Sequence, residues 1–255
     1  MMSRPALAAL RATLRERAPL VHNLTSAVVA NFTANALLAI GAQPAMVESA
    51  EEVSGFVAIA DALVINLGSL TPARAEVMRL AARAAKAAGT PWVIDPVGAG
   101  AIAPRTRFAA ELLELGPSAV RGNASEILGL AGEAGFGRGV DTGTGSEQAI
   151  AAAQRLARSS GAVVAVTGAV DYVTDGKTVL AVAHGHPMMT RVTGMGCAAS
   201  AITAACLGVE PDRLRAVAQA LALAGIAGEV AVRMATGPGS LMIGYLDALA
   251  MADPE

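Results

Sequence analysis

The chain has 255 residues, of which 54% are hydrophobic and 16% are charged, so its composition excludes intrinsic disorder. A protein dedicated to binding nucleic acid is disfavoured as well, because 19 basic residues face 21 acidic ones and the net charge is -2. For this length, one α/β domain spanning residues 1–255 is the simplest organisation.

Helices and strands alternate through the first half of the chain. The first twenty residues predict an amphipathic, charged helix that lacks the apolar core of a secretory signal. A second helix is expected to open at Thr71-Pro72 and to end at Gly89, and a third to begin near Ala124. Buried strands are expected at residues 62–66, 91–95 and 118–121.

The second half of the chain continues this alternation and then becomes helical. After a loop at residues 139–143, the pattern predicts a surface helix at 146–159 and a buried strand at 162–168. Asp175-Gly176 is a hairpin signal between two short strands. Those strands are expected at 171–174 and 178–183, and the final helices at 195–207, 212–234 and 239–251. We therefore predict a mostly parallel central sheet that helices cover on both faces.

Two long stretches, residues 19–47 and 192–209, contain no Asp, Glu, Lys or Arg, and the mean hydropathy of the chain is +0.51. Both stretches carry Asn, Ser, Thr or Gly residues whose polar groups would be costly in hydrocarbon. We therefore expect no membrane span, but a large buried core with subunit contacts. Cys197 and Cys206 would lie roughly 13 Å apart on one helix, too far for a disulfide, which fits a reducing, cytoplasmic setting.

Four predicted strands end in a polar residue that glycine follows closely. They are Asn66-Leu67-Gly68, Asp95-Pro96-Val97-Gly98, Arg121-Gly122-Asn123 with Glu126 nearby, and Thr167-Gly168. Because ligands of open α/β sheets gather at the carboxyl ends of the strands, four such endings favour a common cleft over ordinary capping.

Gly194 and Gly196 stand directly before an uncharged helix, where glycines allow positive φ and close approach of the backbone to an anion. Cys197 would lie at the same helix N-terminus, where a thiol pKa is expected to be lowered. A small buried cysteine that only packs the helix remains the alternative. With Ala199, the glycines also match a dinucleotide-binding pattern, but its late position disfavours a nicotinamide oxidoreductase. The three histidines predict no metal cluster.

Seven segments, in order along nearly the whole chain, carry a resemblance to a known family. They are residues 19–25, 31–35, 41–46, 95–99, 121–126, 166–168 and 193–197. Together they closely resemble the hydroxyethylthiazole kinases. The resemblance implies a ribokinase-like α/β fold and ATP-dependent phosphorylation of the primary alcohol of 4-methyl-5-(2-hydroxyethyl)thiazole, a salvage step towards thiamine. It also implies a cytoplasmic homotrimer with active sites at subunit boundaries, where part of the first uncharged stretch would form a substrate-site helix.

The same resemblance implies a role for each residue that matches a family motif. These residues are Met46, Gly194 and Asn23 for the thiazole alcohol; Arg121, Thr167 and Gly168 for ATP; Asp95 and Glu126 for Mg²⁺, partly through water; and Cys197 for the position of the general base. Met195 departs from the family pattern, since a threonine is usual between the two glycines.

Two other functions remain open at this stage. A repair dehydratase for hydrated nicotinamide nucleotides would share the ribokinase-like fold, but such enzymes carry an aspartate at the position of Cys197. A binding protein that senses thiazole or nucleotide is the non-enzymatic alternative. Such a sensor would not need both the metal carboxylates and the phosphate contacts.

Overall fold

The computed structural model describes residues 3–133 and 145–251, so the loop expected at 139–143 lies outside the described residues. The strands are β1 Leu20–Leu24, β2 Gln43–Ala45, β3 Ala62–Asn66, β4 Trp92–Asp95, β5 Ala119–Asn123, β6 Val163–Thr167, β7 Asp171–Thr174 and β8 Val179–Val182. They form one sheet in the order β2-β1-β3-β4-β5-β6-β7-β8. The first six in this order are parallel, and β7 and β8 extend the sheet as an antiparallel hairpin.

Helices cover both faces of this sheet. They are α1 Arg4–Arg17, α2 Ala30–Ile40, α3 Val53–Ile59, α4 Pro72–Ala88, α5 Ala103–Leu113, α6 Ala124–Leu130, α7 Ile150–Ser160, α8 Met195–Val209, α9 Arg213–Val232 and α10 Pro238–Ala250. The two 3₁₀ helices are Ser146–Ala149 and Pro187–Arg191. One core joins the sheet to α1, α2, α8, α9 and α10, and a second core joins the opposite face to α3 through α7. The predicted parallel sheet with two covered faces is confirmed.

Strand β3 illustrates why these residues form a central strand. All five of its residues are buried, and successive side chains point to opposite faces. Ala62 and Val64 therefore enter the core on the α8 side, while Leu63 and Ile65 enter the core beneath α4. A strand with apolar residues on both faces fits only in the middle of a sheet that helices cover twice.

Helix α9 is long and apolar enough to cross a membrane by length and composition alone. In the fold, 72% of its most apolar window is buried, and the helix packs against α8, α10 and the β6–β8 part of the sheet. Its many alanines let these neighbours approach closely. The composition of α9 is therefore explained by its place in the core.

The uncharged stretch 19–47 is where the sequence prediction was incomplete. It contains the expected helix, α2, but β1 and β2 lie on either side of it and pair with each other in parallel. Short apolar strands and helical segments give similar patterns, so periodicity did not separate them. The second uncharged stretch is α8, as predicted, and both cysteines on it are free.

Candidate active site

The register of the central strands gathers polar side chains at one edge of the sheet. Asn66 at the end of β3 lies beside Asp95 at the end of β4. The pairing of Ile94 with Val120 brings Arg121 of β5 next to Asp95, and Asn123 pairs with Thr167 of β6. The strand ends identified from the sequence therefore meet, and α8 begins directly above them.

The start of α8 is shaped by its two glycines. Gly194 has φ +90°, and a Cβ atom there would lie 3.0 Å from Val29 and 3.1 Å from Phe32. A Cβ atom on Gly196 would lie 2.7 Å from Nη1 of Arg121, so the guanidinium packs against the backbone. Gly194 caps the helix without a side chain, which leaves the first amide groups available to an anion. Met195 is buried in the α8-side core, so its side chain is a packing residue.

Asn66 is the centre of the hydrogen-bond network at this edge. Its Nδ2 donates to Oδ2 of Asp95 at 2.7 Å and to Sγ of Cys197 at 3.2 Å. Its Oδ1 accepts the N–H of Gly68 at 2.9 Å, which fixes the orientation of the amide. The strand ending was recognised in the sequence, but Asn66 was not among the predicted site residues. Its position beside Asp95 becomes evident only from the strand register.

Two buried carboxylates, Asp95 and Glu126, face the same region. Asp95 accepts a second hydrogen bond from Ser200 Oγ at 2.9 Å, while Glu126 accepts the N–H of Gly98 at 3.0 Å and that of Asn123 at 2.9 Å. The Glu126 and Asn123 bonds form a capping box that begins α6. Burial raises the pKa of both carboxyl groups, and the Asp95 charge further raises the pKa of Glu126.

This pair suits a hard divalent cation. Oxygen ligands are what Mg²⁺ prefers, and a bound cation would relieve the repulsion that raises the Glu126 pKa. Both Glu126 oxygens already accept a backbone N–H, which favours contact through water over direct ligation. Among the residues that the structure describes, no cluster of three or more His, Cys, Asp or Glu side chains could hold a metal.

Arg121 in the middle of β5 and Thr167 at the end of β6 lie together. Nη2 of Arg121 donates to Oγ1 of Thr167 at 2.8 Å, and Thr167 in turn donates to the Gly122 carbonyl at 3.2 Å. The next residue, Gly168, donates its N–H to Oδ1 of Asp171 at 2.9 Å. Burial raises the pKa of Asp171 to about 6, and the positive charge of Arg121 counters part of that rise.

The expectation that the helix N-terminus lowers the Cys197 pKa is wrong for this structure. Burial of the thiol, with the negative charge of Asp95 as the second cause, raises the pKa of Cys197 to about 12. The Asn66 hydrogen bond and the Arg121 charge favour the thiolate, but they only partly offset these two effects. In the ligand-free protein the thiol is therefore protonated at neutral pH.

Asn23 and Met46 lie on the opposite side of β3 from Asp95, on β1 and just after β2. Asn23 is 1% exposed, and neither its amide nitrogen nor its amide oxygen has a hydrogen-bond partner among the described residues. Met46 follows the last residue of the edge strand and is 36% exposed. A buried amide without partners is costly, and its two groups are free to recognise a ligand.

A protein-family model described as the hydroxyethylthiazole kinase family matches residues 11–255. The chain belongs to the hydroxyethylthiazole kinase family. It is 58% identical to a hydroxyethylthiazole kinase of Granulibacter bethesdensis over 240 residues, which cover 94% of this chain and 88% of that one. A hydroxyethylthiazole kinase of Klebsiella pneumoniae strain 342 is 56% identical, with 95% and 94% of the two chains covered.

Solved structures place this family member among related folds. The structure of the hydroxyethylthiazole kinase protein of Pyrococcus horikoshii OT3 superposes with a TM-score of 0.90 at 41% identity, covering 97% of this chain and 94% of that one. A pyridoxal kinase of Staphylococcus aureus in complex with AMP-PCP and pyridoxal is similar in fold alone, with a TM-score of 0.63 at 19% identity and coverage of 82% and 87%. The predicted family, the ribokinase-like fold and the kinase function are thus confirmed. The roles of single residues remain predictions.

Proposed function

We propose that this chain transfers the γ-phosphoryl group of ATP to the primary alcohol of 4-methyl-5-(2-hydroxyethyl)thiazole; its family and relatives carry the name hydroxyethylthiazole kinase. The observation that carries the proposal is the buried network in which Asn66 bonds both Asp95 and Cys197 beneath the glycine-flanked start of α8. Phosphoryl transfer is catalysed chiefly by positioning and charge stabilisation. This network and the free backbone amides at the start of α8 would supply both the positioning and the charge stabilisation.

The nucleotide would be held at the β5 and β6 ends. Arg121 gives a fixed positive charge for the phosphate oxygens, while Thr167 and the Gly168 turn give polar contacts beside it. Asp95 and Glu126 would hold Mg²⁺, the latter through water. When bound, that ion would neutralise phosphate charge during transfer.

The thiazole alcohol would lie between the start of α8 and the β1–β2 edge. Asn23 offers an unpartnered amide, Met46 an apolar, polarisable side chain, and Gly194 a backbone that a ligand can approach closely. Cys197 would face the reacting hydroxyl oxygen. To act as the base, its thiol must first lose its own proton, since the pKa in the free protein is about 12.

We also propose that the chain is one domain over residues 1–255 that acts as a cytoplasmic homotrimer, without nucleic-acid or membrane partners. Support for assembly comes from the uncharged stretch 19–47, where Val28 is 75% exposed and Leu38 is 58% exposed. Apolar side chains with this exposure, in the stretch that also carries Asn23 and Met46, suit a boundary between subunits.

A coupled assay of ADP release with Mg²⁺ tests the proposal. We expect release that depends on hydroxyethylthiazole and exceeds that seen with hydroxymethylpyrimidine, pyridoxal or ribose. Absence of thiazole-dependent ADP release, with the protein folded and nucleotide bound, would overturn the proposal and favour a sensor. Turnover of hydrated nicotinamide nucleotide instead would support the dehydratase.

A further inference from the structure

The segment after β2 carries Met46, but it lies beyond the last paired residue of that strand. The register pairs His22 of β1 with Ala45, and residues 46–49 continue outside helix and strand. A side chain that binds substrate from such a segment needs something other than sheet pairing to fix its position. Two side chains from neighbouring elements supply that support.

His22 holds the segment from the sheet. Its Nε2 lies 2.8 Å from the carbonyl oxygen of Val47, and since a carbonyl only accepts, Nε2 carries the proton and donates. The ring is fully buried and meets the Phe56 ring edge-on, with 5.1 Å between centroids. Burial lowers the pKa of His22, which favours the neutral ring that makes this bond.

Arg74, in the first turn of α4, holds the segment from the other side. Its Nη1 lies 3.2 Å from Oε2 of Glu48 and its Nη2 lies 3.0 Å from Oε1, so the guanidinium meets both carboxylate oxygens. Nη2 also donates to the Thr25 carbonyl oxygen at 2.5 Å. One guanidinium thus ties the end of β1, which carries Asn23, to the segment that carries Met46.

We infer that His22, Arg74 and Glu48 form a clasp that positions Met46 against the thiazole alcohol. The inference rests on the proposed function, because it assigns these residues to the alcohol half of the site. Arg74 and Glu48 are positioning residues, since they act through the segment and do not themselves touch the reacting atoms. The contacts of the clasp do not include Arg121 or Thr167, so we expect nucleotide binding to be unaffected when the clasp is broken.

The Arg74–Glu48 pair can be broken with little risk to folding. The Glu48 side chain is 46% exposed, and exposed ion pairs contribute little to stability. We expect Glu48→Ala and Arg74→Gln each to raise the KM for the thiazole alcohol about five- to tenfold. The kcat at saturating alcohol and the KM for ATP should stay within about twofold. Arg74→Lys should give an intermediate KM, because a single ammonium cannot replace the planar fork.

Arg79→Gln is the matched control. Arg79 lies on the same helix and also forms ion pairs, with Glu76 and Glu111, but away from the segment. Its substitution should leave the KM for the alcohol unchanged. In ligand-free protein, hydrogen exchange at the amides of residues 46–48 should be faster in Glu48→Ala and Arg74→Gln than in the parent or in Arg79→Gln.

The outcomes separate the clasp from the proposed function. An active parent whose Glu48→Ala variant keeps its KM for the alcohol would overturn the clasp alone. A rise in KM that comes with a loss of oligomeric mass would assign the effect to assembly and also overturn the clasp. A parent without thiazole-dependent turnover would overturn the proposed function, while hydrogen exchange at 46–48 would still show whether the clasp holds the segment.

Discussion

The centre and the edge of the site are built differently within one chain. At the centre, Asn66, Asp95 and Cys197 are joined by hydrogen bonds of 2.7 and 3.2 Å around a single amide. At the edge, the amide of Asn23 is buried without a partner, and Met46 is 36% exposed on a segment outside the sheet. The centre is thus preorganised before any ligand binds, whereas the edge still has polar groups to satisfy.

This difference indicates where binding energy and catalytic power arise. A buried polar group without a partner costs about 1–3 kcal/mol, and a ligand that satisfies the Asn23 amide recovers part of that cost. The centre has no such cost at Asn66, where both amide atoms are bonded. We therefore expect changes at the centre to lower kcat, and changes at the edge to raise the KM for the alcohol.

The largest effect on kcat is expected from substitutions of Cys197. Cys197→Ala removes the group that we propose faces the alcohol, so kcat should fall by about 100- to 10,000-fold, the range of general base catalysis. Cys197→Asp should retain activity, because a carboxylate accepts a proton at neutral pH. Steady-state kinetics of the two variants check this. If the alanine variant turns over like the parent, Cys197 only packs the helix, and the centre is not where the alcohol is activated.

Asn66 should show a smaller but clear effect, about 10- to 100-fold on kcat when it is changed to Ala. The change removes the amide that donates to both Asp95 and Cys197, while the residues proposed to bind the nucleotide, Arg121 and Thr167, are unchanged. Ser200→Ala is the matched control, because it removes only the other donor to the same Asp95 oxygen. We expect Ser200→Ala to cost less. Equal losses of kcat would mean that only the Asp95 contact matters and that the bond to the thiol is incidental.

The strand pattern of the sequence predicted much of the centre, whereas the edge residues Asn23 and Met46 were predicted only through the family resemblance. Polar strand ends followed by glycine identified Asp95, Arg121 and Thr167, because parallel strands bring such ends together whatever their exact lengths. The role of Asn66 required the register, which fixes which strand end faces which. Strands β1 and β2 escaped prediction because their short uncharged runs are not distinguished from helix by periodicity.

The Cys197 pKa was mispredicted for a physical reason. A helix N-terminus favours a thiolate, but burial of the thiol and the nearby Asp95 carboxylate both oppose it. Neither of these two effects can be read from the sequence, because both depend on the folded structure. The contact between Arg74 and Glu48 was equally hidden, since 26 residues separate them in the chain. Motifs identify residue types that suit a chemistry, whereas the pKa of each group depends on its neighbours in the folded structure.

Arg121→Ala tests whether the centre also binds the nucleotide. Loss of the guanidinium should raise the KM for ATP about tenfold and the KM for the alcohol by less, because its contact at 2.8 Å is with Thr167. Arg158→Ala is a suitable control, since Arg158 bonds the Gly176 carbonyl in the β7–β8 hairpin. A larger rise for the alcohol than for ATP would contradict the division between the two halves of the site.

The smallest effect is expected at Asp171, on the nucleotide side of the centre. Its pKa is raised from 3.8 to about 6 in the folded chain, so the folded state holds the proton more tightly than the unfolded state does. The resulting stability is fully present below about pH 4 and is lost as the pH rises through about 6. Asp171→Asn keeps an oxygen to accept the Gly168 N–H but carries no charge.

The Asp171→Asn variant should therefore unfold with a free energy about 2 kcal/mol higher than the parent near pH 7.5, and this advantage should vanish near pH 4. Denaturant titrations at the two pH values measure the difference. The variant no longer has a carboxylate that competes with the ATP phosphates for the positive charge of Arg121, so the KM for ATP should also fall a few-fold. An equal gain in stability at both pH values would mean that the Asp171 pKa is not raised. The Asp171 carboxylate would then carry no electrostatic cost in the folded chain.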